Sequence, residues 1–510
     1  MSVDPVFDIF EPTPQIEAFD AYDLYIVEPD ASDLKSYNTV INYKDKNTSF
    51  MKRYAKSWIT HTFSLYNKNN ENPYSLPVVG GAEANKDDLV FPIDSSKLAS
   101  LVNFAPLDNR LEFLVNNEPV QVVEDSGHAR LIKALLNYSP DYLESHGERE
   151  FLFLDTGNGK TKIQPDFSLD FLGLKYPKTV ATDGEPEAKK LVAGDVDTAI
   201  ADAIRKLLVY ISNHSISGKL ANGNVNEGFF KRLLITANKD PTNGNKILFT
   251  VSIPFASMFT LFDNFDKIMQ GTENTLRITK NSPEAYLHTG GGAEVSGVNR
   301  PLLELVNTKW YIPYVKPTLV AQSFYLSKLN TNNQLKIHYE GYTTHTSSKY
   351  TAGSAVNYSI PLTNTRITKV IFTILPAIDE LDELNNAVFV GSNLTSVRFV
   401  LNNVSYPNYS IEGKERFLQS YLDCTGKRYD TDTGVLVNPD NWHLYPLFCM
   451  DFTKYSDALF EIQNSTLQFI ATGGVPQYDG VDCPFIIKAV VFSDKELTIS
   501  TIENKVFLRS

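Results

Sequence analysis

Along most of the chain, apolar residues alternate with polar ones in short runs, such as ITHTFSLY from Ile59, LVFPI from Leu89 and LEFLV from Leu111. Clusters of turn residues, KNNENP and VVGGAEANKDD among them, separate these runs. A period of two bounded by Asn, Gly and Pro predicts strands joined by loops. FLFLD (151–155) and IQPDFSLDFL (163–172) continue the style. One stretch breaks it. In 195–212 (DVDTAIADAIRKLLVYIS), Ala199, Ile200, Ala203, Ile204, Leu207 and Leu208 recur at helical spacing, behind acidic residues that suit a helix N-terminus. This predicts a helix inserted into a loop of the first half. Strands are expected again in RLLITA, ILFTVSI and TLRITKN, with a short helix at Phe255–Met269 between the last two. WYIPYVKPTL from Trp310 predicts a last strand and a Pro-punctuated exit. Further strands follow in QLKIHYEGY, ITKVIFTIL, SVRFVL, YPLFCMDF, TLQFIAT, FIIKAVVF, ELTIS and KVFLRS.

One pattern occurs twice. LEFLVNNEPV (111–120) and VRFVLNNVSY (397–406) lie 286 residues apart. At the same offset ARLIKALLNYS (129–139) aligns with ERFLQSYLDCT (415–425), placing Arg130 on Arg416, Leu131 on Phe417, Ile132 on Leu418 and Leu136 on Leu422. A strand, an Asn-Asn turn and an amphipathic helix used twice imply two related domains in tandem. A boundary near 316–332 fits the repeat, and 510 residues are too many for one core.

Composition narrows the function. Apolar residues are 42% and aromatics 12% of the chain, enough for buried cores and weighted toward β structure. The net charge is −13, with no Lys/Arg block, so no electrostatic footprint for coating nucleic acid is expected. Cys424, Cys449 and Cys483 form no C-x-x-C pair and read as free thiols of a protein folding in a reducing compartment. MSVDPVFDIFEPTPQ is acidic and lacks an apolar h-region, and no apolar run approaches the ~20 residues of a membrane helix. A soluble protein made inside a cell is expected, with the sequons at Asn393 and Asn464 as chance matches.

Candidate chemistry is thin. Asp-Thr-Gly occurs at Asp155–Gly157 and Asp432–Gly434. An aspartic protease would need Asp155 and Asp432 in contact, so that one carboxyl stays protonated while the other ionises. The first copy follows an apolar strand; the second follows YDT in a polar loop, and Asp-Thr-Gly is an ordinary turn sequence. GNGKT (157–161) lacks the phosphate loop's earlier glycine, because Leu154 stands there. Gly290–Gly292 reads as a flexible loop. His338 and His345, seven apart, match no zinc-ligand spacing. No catalytic, cofactor-binding or metal-binding residue is assigned. Trp58, Trp310 and Trp442 lie in or beside apolar runs, so core roles are expected.

Two strand-rich halves suit two β-sandwiches, and eight-stranded jelly rolls of this kind occur in viral capsid and lectin domains. The chain resembles the double jelly-roll major capsid proteins of the Polinton (Maverick), adintovirus and virophage group. The resemblance is carried in order by NFAPLDNRLEFLVNNEPV, HARLIKALLNYSPDYLESH, NEGFFKR (226–232), ILFTVSIPFASMFTLFDNF, IMQGTENTLRITKN and WYIPYVKPT. In the second half ITKVIFTILPA, SNLTSVRFVLNNVSYP, ERFLQSYLDCTG, YPLFCMDFTKYSD, TLQFIATGG and PFIIKAVVFSDKELTIS follow the same scheme. It spans about 60–508; the helix at 195–212 and the acidic N-terminus depart from it.

The resemblance implies an all-β fold of two tandem eight-stranded jelly-roll sandwiches with short helices in loops. The expected division is an N-terminal arm at 1–40, a first jelly roll at 41–318 with a helical insertion at about 187–214, and a second at 319–510. It also implies a structural role: homotrimers forming pseudo-hexagonal capsomers, tiled with neighbouring capsomers and a penton protein into an icosahedral virion around DNA. Assembly would occur inside the host cell, in nucleus or cytoplasm. No enzymatic activity, cofactor, specific nucleic-acid binding or membrane-spanning segment is expected. The alternative is a carbohydrate- or receptor-binding β-sandwich protein, which solvent-exposed tryptophans would favour.

Overall fold

The computed structural model describes residues 19–34, 40–67, 99–101, 108–150, 152–155, 179–180, 186–187, 247–281, 287–289, 301–323, 327, 334–362, 366–377, 389–427, 434–455, 465–478, 481–500 and 506–509. The helix expected at 195–212 lies outside them, as do GNGKT, Gly290–Gly292 and Asp432.

Eight strands build the first sandwich: β1 (Phe19–Val27), β2 (Val40–Asp45), β3 (Trp58–Asn67), β4 (Asp108–Val115), β5 (Glu118–Glu124), β6 (Ile247–Pro254), β7 (Asn274–Lys280) and β8 (Pro301–Pro317). One sheet runs β1-β8-β3-β6 and the other β2-β7-β4-β5. The pairs β1·β8, β2·β7, β3·β6 and β4·β5 are all antiparallel, as if one long hairpin were rolled into two layers. That is a jelly roll.

The second half repeats the plan with β9 (Gln334–Thr346), β10 (Val356–Leu362), β11 (Ile367–Pro376), β12 (Ser396–Leu401), β13 (Val404–Glu412), β14 (Phe448–Asp451), β15 (Ser465–Thr472) and β16 (Phe485–Ser500). Its sheets run β9-β16-β11-β14 and β10-β15-β12-β13, so every strand takes its predecessor's place.

The duplicated hairpin shows why the sequence folds this way locally. Asn116 and Asn117 have φ of 50° and 68°; Asn402 and Asn403 have 50° and 67°. Two successive left-handed residues make the turn whose twist matches flanking strands, and Asn tolerates that conformation. The first Asn of each turn also clamps the strand next door. Asn116 N–H donates to Glu273 O (2.7 Å) and its Oδ1 accepts from Glu273 N–H (3.0 Å). Asn402 makes the same two bonds with Thr466, both at 3.0 Å.

Each sandwich closes over rings. Tyr54, Phe113, Phe255, Phe262 and Trp310 fill the first, with Phe255 stacked on Trp310 at 5.1 Å. Phe372, Phe399, Phe448 and Phe469 fill the second, with Phe372 stacked on Phe469 at 4.5 Å. Helices occupy the connections: α1 (Ser126–Asn137), α2 (Pro140–Glu150), α3 (Phe255–Met258), α4 (Leu261–Asn264) and α5 (Lys414–Thr425). The single helix expected at Phe255–Met269 is thus two one-turn helices. Phe255, Met258, Phe259, Leu261 and Phe262 are all buried there, so the apolar run folds around itself without one continuous helical face.

Candidate assembly seam

The two sandwiches meet along a seam, and the seam explains two sequence features. ITKVIFTILP of β11 is apolar on successive residues because it is buried on both faces, the inner one by its own sandwich and the outer one by the first half. The helix α1 is likewise buried at every residue from Ser126 to Leu136, as a helix packed on all sides must be.

Edge strand β5 supplies much of the contact. Its outward carbonyls would otherwise lack partners. Tyr339 Oη of β9 donates to Val120 O (2.9 Å) and Thr344 Oγ1 to Glu124 O (2.8 Å). Tyr342 Oη reaches Met258 O at 3.3 Å, which ties α3 to the same strand. Behind them α1 meets the outer face of β11 and β16. His128 Nε2 and Thr373 Oγ1 share a hydrogen bond at 3.0 Å, and Lys488 is salt-bridged to Asp125. The two duplicated helices also touch each other. Tyr421 Oη donates to Leu135 O, two positions equivalent in the repeat, and Lys427 Nζ donates to Asn137 O at 3.2 Å.

Burial sets the electrostatics here. Enclosure of the His128 ring pushes its pKa down to about 3, helped by Lys488 and opposed by Asp125, so the imidazole is neutral at ordinary pH. Asp125 lies below the usual carboxylate range: burial would raise it, but Lys488 and His128 outweigh that. Deeper in, Lys133 Nζ donates to Asp263 (2.9 Å) and Ala256 O (2.5 Å), and burial lowers its pKa. Arg130 lies 3.6 Å from Glu150, both at most 2% exposed. Such pairs fix geometry more than they add stability, since desolvation offsets attraction.

The residues singled out for chemistry find other uses. Asp155 is buried at the seam, where its backbone N–H donates to Tyr445 Oη at 2.7 Å. His338 is exposed on β9 at 3.4 Å from Glu496, while His345, at odd spacing on the same strand, bonds Thr343 at 3.3 Å. Cys424, Cys449 and Cys483 are buried free thiols; the Cys449 thiol and burial hold Cys424 well above the ordinary range. Burial pushes Cys483 up to about 11. Neither is therefore a thiolate nucleophile. Among the described residues no cluster of three or more His, Cys, Asp or Glu could hold a metal, and no helix is long and apolar enough to cross a membrane. Trp310 and Trp442 are core residues, whereas Trp58 is half-buried on the outer face, stacked on Tyr311 at 5.3 Å.

No family model matches the chain, and no curated protein matches it. Solved structures do. A chain of the Sputnik virophage, determined by cryo-EM, is 10% identical with a TM-score of 0.54, over 100% of this chain and 92% of that one. The mavirus major capsid protein is 8% identical with a TM-score of 0.49, over 100% and 95%. The Faustovirus major capsid protein is 9% identical with a TM-score of 0.47, over 96% and 93%. The likeness to the Sputnik chain is one of fold, and together with the strand order it shows that this all-β chain is a double jelly roll.

Proposed function

We propose that the chain is a major capsid protein whose three copies form a pseudo-hexagonal capsomer of an icosahedral virion enclosing DNA. One observation carries this reading: two sandwiches of identical strand order stand side by side in one chain, joined by a seam of buried helix and tyrosine hydroxyls. Two like domains repeated by a threefold axis give six roughly equivalent sides, which suits packing on a near-hexagonal lattice. The domains follow as two jelly rolls that divide near 318; β1 (Phe19–Val27) is a strand of the first, paired with β8, so the arm expected at 1–40 is part of that sandwich over these residues. The Polinton, adintovirus and virophage group is the source the sequence motifs favour. Neighbouring capsomers and a penton protein complete the shell, and the acidic chain leaves DNA neutralisation to other proteins. Virion localisation follows, with assembly in the nucleus or cytoplasm of the host. The role is structural, without catalysis.

Light scattering after size exclusion tests this. A species near three times the 57.2 kDa chain mass, forming hexagonal arrays by electron microscopy, is expected; a monomer at high concentration contradicts it. The stacked Trp58–Tyr311 pair on an outer face favours a second reading, glycan recognition, because aromatic faces suit sugar rings. Quenching of tryptophan fluorescence by a glycan panel would support that reading, and its absence would remove it.

A further inference from the structure

Where β2 ends, the first sandwich buries a lysine and an aspartate against each other. Asp45 is the last residue of β2, beside Asn274 of β7. Lys52 ends the short strand Met51–Lys52, which pairs with Val315 and Tyr314 of β8. Both side chains are at most 2% exposed. Lys52 Nζ donates to each carboxylate oxygen of Asp45 at 2.5 Å, so the nitrogen sits against the carbon between them. Backbone bonds to Met269, 3.0 and 2.9 Å long, hold the lysine's own chain in place.

The groups around this pair are arranged as donors and rings. Tyr54 Oη donates to Asp45 Oδ2, and Asn47 N–H donates to Oδ1 at 3.2 Å. Asn274 Nδ2 donates to Tyr54 Oη at 2.6 Å and to Thr272 Oγ1 at 3.0 Å, which leaves the tyrosine hydrogen to point at Asp45. Lys52 Nζ donates further to Asn47 O and lies 5.6 Å from the centre of the Tyr25 ring. Phe50, in the same loop, packs edge-on against Tyr25 and stacks on Tyr314. Burial lowers the Lys52 pKa against the opposing pull of Asp45. Burial and Asp45 together hold the Tyr54 hydroxyl well above its ordinary range, so it stays a donor. A desolvated lysine amine is a nucleophile, and donors fixed on a carboxyl oxygen stabilise the charge that develops there during attack.

We propose that Lys52 and Asp45 join in an intramolecular isopeptide bond, which the folded chain forms on itself. The ammonium first gives one proton to the carboxylate, leaving an amine and a carboxylic acid, which a dry site favours over two buried charges. Nζ then bonds to Cγ, and the Cγ–Oδ1 bond breaks. Oδ1 leaves as water, carrying the acid proton and one proton from the amine. Oδ2 remains as the amide oxygen, held by Tyr54. Nothing is oxidised or reduced, and no co-reactant is consumed. Fixed contact between the two groups supplies the effective concentration the step needs. The product is a closed ring over residues 45–52 that clamps Phe50 against Tyr25 of β1 and Tyr314 of β8.

Intact-mass spectrometry of the full chain, denatured after purification and again after prolonged incubation at neutral pH, tests this together with a tryptic map. Wild type is expected to be lighter by one water than a Lys52→Arg variant once the residue difference is subtracted, because arginine keeps the ion pair and forms no such bond. Trypsin is expected not to cut after Lys52, and residues 45–46 and 47–53 to stay joined after cleavage at Lys46. Tyr54→Phe is expected to accumulate the unjoined mass, as the amide forms more slowly. If Lys52→Arg fails to fold, the wild-type mass against its sequence and the peptide map decide by themselves. A wild-type chain that keeps its full mass after incubation overturns the proposal, and so does a lost water that maps to other residues. Equal rates in wild type and Tyr54→Phe overturn the part given to the tyrosine.

Discussion

Helices α1 and α5 each follow an Asn-Asn hairpin and each have twelve residues, yet their surroundings are opposite. Residues 126–136 of α1 are buried without exception, including His128, Arg130 and Lys133; in α5 the buried residues are Phe417, Tyr421 and Cys424. The inner stripe is retained in both because each helix closes its own sandwich. The outer stripe has diverged: His128 stands opposite Lys414, Ala129 opposite Glu415 and Lys133 opposite Gln419. A duplicated element keeps the residues its own domain needs and changes those that meet a neighbour. The charged groups of α1 are tolerated in the interior because each has a specific partner.

Substitutions at equivalent positions should break this pairing unequally. Ile132→Ala is expected to cost about 2–5 kcal/mol, the range for a fully buried aliphatic side chain. Leu418→Ala, half-buried, should cost about 1–2 kcal/mol, since less surface returns to water. Urea denaturation of both variants measures the difference, and equal costs would erase the distinction.

Acid should act on α1 and spare α5. The folded pKa of His128, about 3, is below its ordinary value of 6.5. Its contribution is therefore complete above about pH 6.5 and is lost as pH falls toward 3, where the unfolded chain takes up the proton and the folded chain does not. Between pH 7 and 4.5 wild type should lose about 2–3 kcal/mol relative to His128→Gln, at about 1.4 kcal/mol per pH unit. Lys414→Gln, at the equivalent position, should show no such divergence over that range.

Smaller effects sharpen the picture. Lys133→Met removes charge-assisted bonds to Asp263 and Ala256 and should cost about 1–3 kcal/mol. Gln419→Met on the exposed stripe should stay within about 0.5 kcal/mol. The turn itself should behave alike in both halves. Asn116→Ala and Asn402→Ala should each cost about 1–2 kcal/mol for left-handed backbone without Asn. Gly at either position should cost less, because only the side-chain half of the clamp to Glu273 or Thr466 is lost. Thermal melts of the four variants check the symmetry.

What could be read from sequence divides along local and non-local physics. The Asn-Asn turn, the alternating strands and the amphipathic helices are set by residues a few positions apart, and the repeat exposed them twice. The jelly-roll order needed the family resemblance, since β1 pairs with β8 nearly three hundred residues later and no local pattern encodes that. Trp58 was expected in the core because it borders ITHTFSLY. Parity decides otherwise: Ile59, His61 and Phe63 point inward, so Trp58 points out. The same parity marks His61 as a core histidine, bonded to Thr308 at 2.7 Å. The seam was invisible for a different reason. Tyr339, Tyr342 and Tyr421 look like ordinary strand and helix aromatics, and their hydroxyl partners, Val120, Met258 and Leu135, are backbone carbonyls with no sequence signature. The hint that existed was α1 itself, SGHARLIKALLN, too apolar on its outer side for a helix facing water.

The most direct test of the account is hydrogen exchange of β5, α1, β13 and α5 in the full chain. The account predicts that β5 and α1, covered within the chain, exchange more slowly than β13 and α5. Equal exchange in the two pairs would contradict it.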